Sequence, residues 1–268
     1  MNRRDFILGT GALVAGSALL PRLISGEPGL PWLTDLHVHV TTEFPVERMV
    51  ELATRRGVRL GIVEHPVEWA LKDDRALADY IARLRRFPVY VGLQPIDLDW
   101  RSRYSKALID QVDYVLHDPQ IFEVRAGEQL RIWEFDTYVD DADEFMERYV
   151  EHSLMVIRTS RADIFAWPLF LPACIARDYY TLWTKARMEV LVEALSKQGV
   201  ALEINDMAHT PHDAFISLAK EAGVKFTVGS DARNANVGRL GYARRLIERC
   251  KLKEEDFWLP AKKPVDAN

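Results

Sequence analysis

Two histidines one residue apart, His37 and His39, close an apolar run. Two further segments, Gly61-Ile62-Val63-Glu64-His65 and Gly229-Ser230-Asp231-Ala232-Arg233, end similar runs with side chains able to bind a metal. Side chains repeat with period two along a strand, so His-x-His turns both imidazoles to one side, about 7 Å apart, where one ion can bridge them. Two imidazoles and a carboxylate, with a position left open for water, suit zinc, manganese or iron. Such an ion lowers the pKa of bound water from about 15.7 to about 7. These residue types therefore point to metal-assisted hydrolysis. Each also has a plainer reading, since paired imidazoles can fill a barrel and a strand-ending Ser-Asp can cap the next helix.

The elements that must position these side chains recur regularly. Strand-like runs fall near 33–40, 59–65, 88–94, 113–117, 162–166, 200–205 and 225–230. Helical patterns lie between them. Val46, Met49, Val50 and Ala53 repeat at helical spacing up to Gly57, Ala76, Ile81, Leu84 and Phe87 do so before Pro88, and 141–157, 184–198, 212–222 and 238–249 complete the series. Seven β/α alternations predict an α/β domain whose parallel sheet closes as a distorted barrel, with every candidate ligand at a strand's C-terminal end. The stretch from Pro119 to Asp141 breaks the rhythm and is expected to be a substrate-facing loop or a covering flap.

The order of these pieces resembles the PHP (polymerase and histidinol phosphatase) superfamily of metal-dependent phosphoesterases from about residue 33 to 241. The family's D-x-H-x-H is matched by Asp35, His37 and His39, its strand-ending D-H by Glu64-His65, and its fourth motif, a strand ending in histidine, by Asp113 to His117. L-E-I-N stands unaltered at Leu202 to Asn205. Three motifs depart from the pattern. G-x-E reads Gly92-Leu93-Gln94, D-I-x-x-H-P has Trp167 for its histidine, and S-D-A-H ends in Arg233.

The resemblance implies a TIM-like (β/α)7 barrel of the PHP type and a cluster of up to three ions. The first position keeps His37, His39 and Asp231 and loses only the carboxylate at Gln94. The second keeps His117 without its partners at Gln94 and Trp167, and the third keeps His65 without its partner at Arg233. One divalent ion per chain is the expectation. His65 and His117 are then ligands, substrate contacts or hydrogen-bonded histidines, and Glu64 or His65 manages a proton. Arg233 supplies fixed charge where a further ion would sit, or merely neutralises acidic residues. Glu203 most often holds structure in such a strand. Gln94, Trp167 and His209 are candidate substrate contacts, with packing the plainer role for Trp167.

Asn2-Arg3-Arg4-Asp5-Phe6 and the Gly/Ala/Leu-rich run to about Leu20 have the form of a twin-arginine export signal. The run, about 14 residues, is short for a membrane span of about 20. The expected organisation is a signal and spacer over 1–28 and one barrel domain over 29–268, exported to the periplasm and without a stable membrane span after processing. The net charge of −5 argues against a nucleic-acid partner, and a small anionic substrate is expected. Two cysteines, Cys174 and Cys250, exclude a disulfide framework but allow a single bridge. Two other readings compete with a phosphoesterase. One is a catalytically retired barrel that binds a ligand or partner, suggested by the three departures. The other is an amidohydrolase-like mononuclear hydrolase, whose skeleton also uses His-x-His and a late-strand aspartate.

Overall fold

Strand alternation decides which side chains meet inside this molecule and which meet the helices outside it. The computed structural model describes residues 30, 32–125 and 128–261. The signal segment expected over 1–28 lies outside the described residues. In chain order the strands are β1 (Thr34–Val38), β2 (Arg59–Glu64), β3 (Val89–Leu93), β4 (Tyr114–His117), β5 (Ile121–Arg125), β6 (Glu128–Arg131), β7 (Ile164–Phe165), β8 (Ala201–Asn205) and β9 (Phe226–Gly229). The helices between them are α1 (Val46–Arg55), α2 (Asp74–Leu84), α3 (Lys106–Ile109), α4 (Ala142–Thr159), α5 (Tyr179–Leu182), α6 (Lys185–Gln198), α7 (Asp213–Glu221) and α8 (Gly241–Arg249). β1, β2, β3, β4, β7, β8 and β9 close a parallel barrel, with β9 returning to β1 through Asp35 and Val228. This is the α/β, seven-stranded TIM-like barrel that the alternation predicts.

The helices start where the sequence satisfies their first free N–H groups. Asp73 accepts from Ala76 N at the head of α2, Asp141 from Asp143 N and Glu144 N at the head of α4, and Thr184 from Arg187 N at the head of α6. Their apolar faces pack on outward-facing strand residues: Leu60, Ile62, Val89 and Val91 against α1 and α2, and Leu202, Ile204, Phe226 and Val228 against α4, α6, α7 and α8. A smaller cluster built on Leu36, Val63, Tyr90, Tyr114, Leu116 and Ile164 fills the barrel itself. Tyr114 crosses it and donates to Leu36 O at 2.7 Å. A Cβ at Gly61 or Gly92 would stand 2.4 Å from that ring or its hydroxyl, so two glycines on neighbouring strands make room for one large side chain.

The Pro119–Asp141 stretch holds more order than a loop. β5 and β6 pair antiparallel, from Ile121 opposite Arg131 inwards, and Phe122 packs on Phe145 and Tyr149 of α4. The adjacent apolar pair Ile121-Phe122 spoils the alternation that would have marked a strand. Cys174 is exposed, Cys250 is half-buried and both are free thiols, so they form no bridge. Among the described residues no helix is long and apolar enough to cross a membrane.

Candidate metal centre

A bulge in β1 sets the centre's geometry. Asp35 pairs with Leu60 and Val38 with Ile62, so three steps on β1 face two on β2, and such an insertion re-aims the side chains next to it. His37 and His39 consequently converge, with ring centroids 5.3 Å apart. Asp35 itself pins the strand rather than entering the centre. Its Oδ1 accepts from Ser230 N at 2.8 Å and its Oδ2 from Gly238 N at 2.9 Å. Burial lifts its carboxyl to about 6 against those hydrogen bonds.

Asp231 follows β9 in the left-handed region, at φ 47°, a conformation aspartate tolerates better than most residues. The turn brings its Oδ1 to 3.4 Å from both His37 Nε2 and His39 Nε2. All three side chains are buried, and their donor atoms lie within 4.8 Å of one another. Two ligands in tetrahedral positions about 2.05 Å from a zinc ion stand about 3.3 Å apart, so the spacing fits one such ion. His39 Nε2 strengthens the fit, because it is a buried nitrogen with no hydrogen-bond partner and such an atom is costly unless something unseen satisfies it.

Surrounding groups hold the donors in place. His37 Nδ1 donates to Glu203 Oε1 at 2.6 Å, and Glu203 Oε2 accepts from Trp167 N at 2.8 Å and Asn205 Nδ2 at 3.1 Å. This leaves His37 Nε2 as the ligand atom, 3.1 Å from Gln94 Oε1. Gly229 permits the approach, since a Cβ there would lie 2.1 Å from Glu203 Oε1 and 2.5 Å from His37 Cβ. Burial opposes charging His37, yet the Asp231 and Glu203 carboxylates outweigh it and lift the imidazole to about 9. Burial pushes His39 down to about 3 against its contact with Asp231. Asp231 is also desolvated but lies well below the usual carboxylate range because His37, His39 and Arg233 surround it.

Trp167 and Arg233, which stand where the resemblance leads one to expect histidines, both bind Asp231. Trp167 Nε1 donates to its Oδ2 at 3.0 Å, while Arg233 Nη1 lies 2.5 Å from its Oδ1. Trp167 is itself held at φ 46° and packs edge-on against Phe170. A bulky residue in that region is strained. Packing is therefore a role Trp167 does fill, although it also lines the cavity above. Gln94 spans the centre, its Nε2 donating to Asp118 Oδ2 at 2.8 Å. His65 completes the group. Its Nδ1 donates to Gln94 O at 2.9 Å and its ring stacks on His39 at 5.2 Å. Burial lowers it to about 4, so it is neutral with the Nε2 lone pair free.

Three expected residues are not brought to this centre. His117 faces out of the barrel, since Tyr114, Leu116 and Asp118 take the inward positions along that strand. It lines a separate cavity of about 570 Å³ with Phe122 and His152, and burial keeps it neutral, down to about 3. Glu64 likewise follows Ile62 outward, where it lines a groove with Tyr80 and Arg83 of α2. Its Oε1 accepts from His65 N. His209 is exposed and stacks on Tyr242, 4.9 Å between centroids. Asp118 is the inward residue that sequence reasoning missed. Period-two counting from Tyr114 would have found it. Met207, not His209, is the member of its loop that reaches the cavity over the centre, a space of about 460 Å³.

No family model and no curated protein matches the chain. Among solved structures it is similar to histidinol phosphate phosphatase from Lactococcus lactis, in complex with zinc, L-histidinol and phosphate. Identity is 19%, the match covers 82% of this chain and 94% of that one, and the TM-score is 0.57. An archaeal ribonuclease P with mature tRNA aligns at 14% identity over 83% of this chain and 90% of that one, with a TM-score of 0.40. The first likeness shows the shared barrel fold, and the second is too weak to carry any argument.

Proposed function

We infer that the protein is a metal-dependent phosphoesterase holding one divalent ion on His37, His39 and Asp231. The observation that carries this reading is the buried triad of donor atoms spaced for a single ion. The barrel shared with a zinc-containing phosphatase supports it. The ion would supply Lewis acidity and a water of lowered pKa. Glu203 fixes the tautomer of His37, and Trp167 fixes Asp231 while keeping solvent from its Oδ2. His65, neutral and with a free Nε2, is placed to accept a proton. Arg233, half-exposed beside Asp231, is placed to stabilise negative charge as it develops.

A retired binding barrel is the second reading, because the Arg233 guanidinium already sits on the Asp231 oxygen that an ion would use. Metal analysis separates the two. Protein reconstituted with zinc, manganese or iron is expected to carry about one ion per chain and to hydrolyse phosphomonoesters. Arg233→Ala is expected to keep the ion and lose about 10²-fold in kcat, the usual scale for one charge-stabilising donor. Stoichiometry near zero would overturn the hydrolase reading, and unchanged kcat in Arg233→Ala would leave the arginine a scaffold role.

We also propose export by the twin-arginine route, on the strength of Arg3 and Arg4 ahead of a short apolar run. Replacing both by lysine should retain the protein in the cytoplasm. Undiminished periplasmic recovery would refute the assignment.

A further inference from the structure

A second cavity lies outside the barrel, where α4, the β5–β6 hairpin and the segment after β3 meet. It encloses about 570 Å³, within the roughly 300–1,000 Å³ typical of small-molecule sites. His117 stands in its wall at 1% exposure and Phe122 at 3%, with the His152 ring stacked on Phe122, 5.3 Å between centroids. Burial holds both imidazoles neutral, His117 down at about 3 and His152 at about 4, so each offers one donor and one acceptor. His117 Nδ1 has no hydrogen-bond partner. A buried nitrogen in that state is costly unless a bound group satisfies it.

The rim of this cavity is anionic. Asp97 and Asp99 line it from the segment after β3 and Glu151 from α4, the Asp99 side chain being 77% exposed and Glu151 exposed as well. Arg148 lines the same space, but its guanidinium is engaged at 3.0 Å by Glu144 of its own helix. Arg103 divides itself between Asp97 at 2.8 Å and Asp99 at 3.5 Å. Burial and the neighbouring Asp99 carboxylate push Asp97 up, as happens where negative charge is in excess. Wall and rim therefore ask different things of one ligand. A full charge beside His117 would meet the apolar surface of Ile121 and Phe122, where desolvation penalises it, whereas a neutral O–H or N–H there satisfies the imidazole. Positive charge belongs at the wet rim, and an apolar body joins the two ends.

We propose that this outer cavity binds a small primary amine whose apolar body ends in a hydrogen-bond donor, with the donor on His117 and the ammonium among Asp97, Asp99 and Glu151. The site stands apart from the candidate metal centre and does not rest on the phosphoesterase reading. Ile96 and Ile121 line both cavities, so the two share a wall and the amine has to be placed as well as detected. Glu151 lines the outer cavity alone, which makes it the marker of position.

Tyramine is the probe, titrated into the protein by calorimetry beside phenethylamine, which lacks the hydroxyl, 4-ethylphenol, which lacks the ammonium, and 3-(4-hydroxyphenyl)propanoate, which reverses the charge. Tyramine should bind about tenfold more tightly than phenethylamine, the scale of one hydrogen bond to a buried acceptor. It should exceed 4-ethylphenol about fivefold, the upper scale of an exposed ion pair, and the propanoate should bind most weakly. His117→Leu should erase the advantage over phenethylamine. Asp99→Asn combined with Glu151→Gln, both at exposed side chains, should bring tyramine within about twofold of 4-ethylphenol, and this double variant places the amine even if His117→Leu fails to fold. No binding of tyramine, equal affinities for tyramine and its two truncated forms, tighter binding of the propanoate, or tyramine affinity unchanged in the double variant would each overturn the proposal.

Discussion

Asp231→Asn is expected to abolish the proposed metal binding and phosphoesterase activity while leaving the barrel folded. Asparagine keeps the volume and tolerates the left-handed backbone at φ 47°, so the substitution removes the charge and one acceptor oxygen and leaves the backbone unstrained. It deletes the sole anionic donor of the triad His37, His39 and Asp231. Losing an outer partner of a metal ligand typically costs 10- to 100-fold in affinity, and losing a donor itself should exceed that. The single amide oxygen of asparagine keeps an acceptor for either Trp167 Nε1 or Arg233 Nη1, which bind different carboxylate oxygens of Asp231, and the half-exposed arginine can turn to solvent when it is the one that loses its partner. Metal content by atomic spectroscopy, thermal unfolding and turnover together check the claim. A variant that unfolds would be replaced by His39→Asn, which leaves the strained turn untouched and carries the same expectation. Full metal occupancy in both variants would show that the ion is held elsewhere.

How much of this was readable beforehand depends on which physical rule was carrying the information. Long apolar runs broken by helical periodicity fix a seven-stranded parallel barrel, because each run buries both faces and each helix buries one stripe. His37, His39 and Asp231 were legible for a similar reason, since chemistry-bearing residues at strand ends of a barrel converge on one mouth. The errors came from facing. His117 and Glu64 sit at the right depth but on the outer side, and alternation from Tyr114 and from Val63 would have turned both away and found Asp118 in place of His117. The bulge at Asp35–Val38 could not be read, because a one-residue insertion in pairing leaves no mark on composition. Nor could the mouth of the cavity over the centre. Arg131 and Trp133 are carried by a hairpin placed through the packing of Phe122 on α4, and Trp69 by the loop after β2, so no local signal marks them as neighbours. The roles of Trp167 and Arg233 were open in the sequence, and their shared contact with Asp231 depends on positive-φ backbone at Trp167 and Asp231, beyond the ends of β7 and β9, which residue type does not announce.

Glu203→Gln should weaken metal binding about 10- to 100-fold without dismantling the centre. Glu203 touches no donor atom of the proposed ion. It acts through His37 Nδ1, which it holds at 2.6 Å, and through Trp167 N, which it fixes beneath Asp231. Glutamine with its oxygen towards the imidazole keeps that acceptor, gives up the one that takes Trp167 N and Asn205 Nδ2, and removes a negative charge that helps lift His37 to about 9. In the metal-free wild type at pH 7 that imidazole carries a proton, which an incoming ion must displace from Nε2, so zinc uptake should release about one proton per ion. With the carboxylate gone the imidazole titrates lower, more of it is already neutral at pH 7, and the release should fall. Calorimetry in buffers of different ionisation enthalpy reads this directly. Proton release equal to wild type, even with weakened binding, would mean that Glu203 merely fills space at the base of β8 and that the charge on His37 is governed by Asp231 alone.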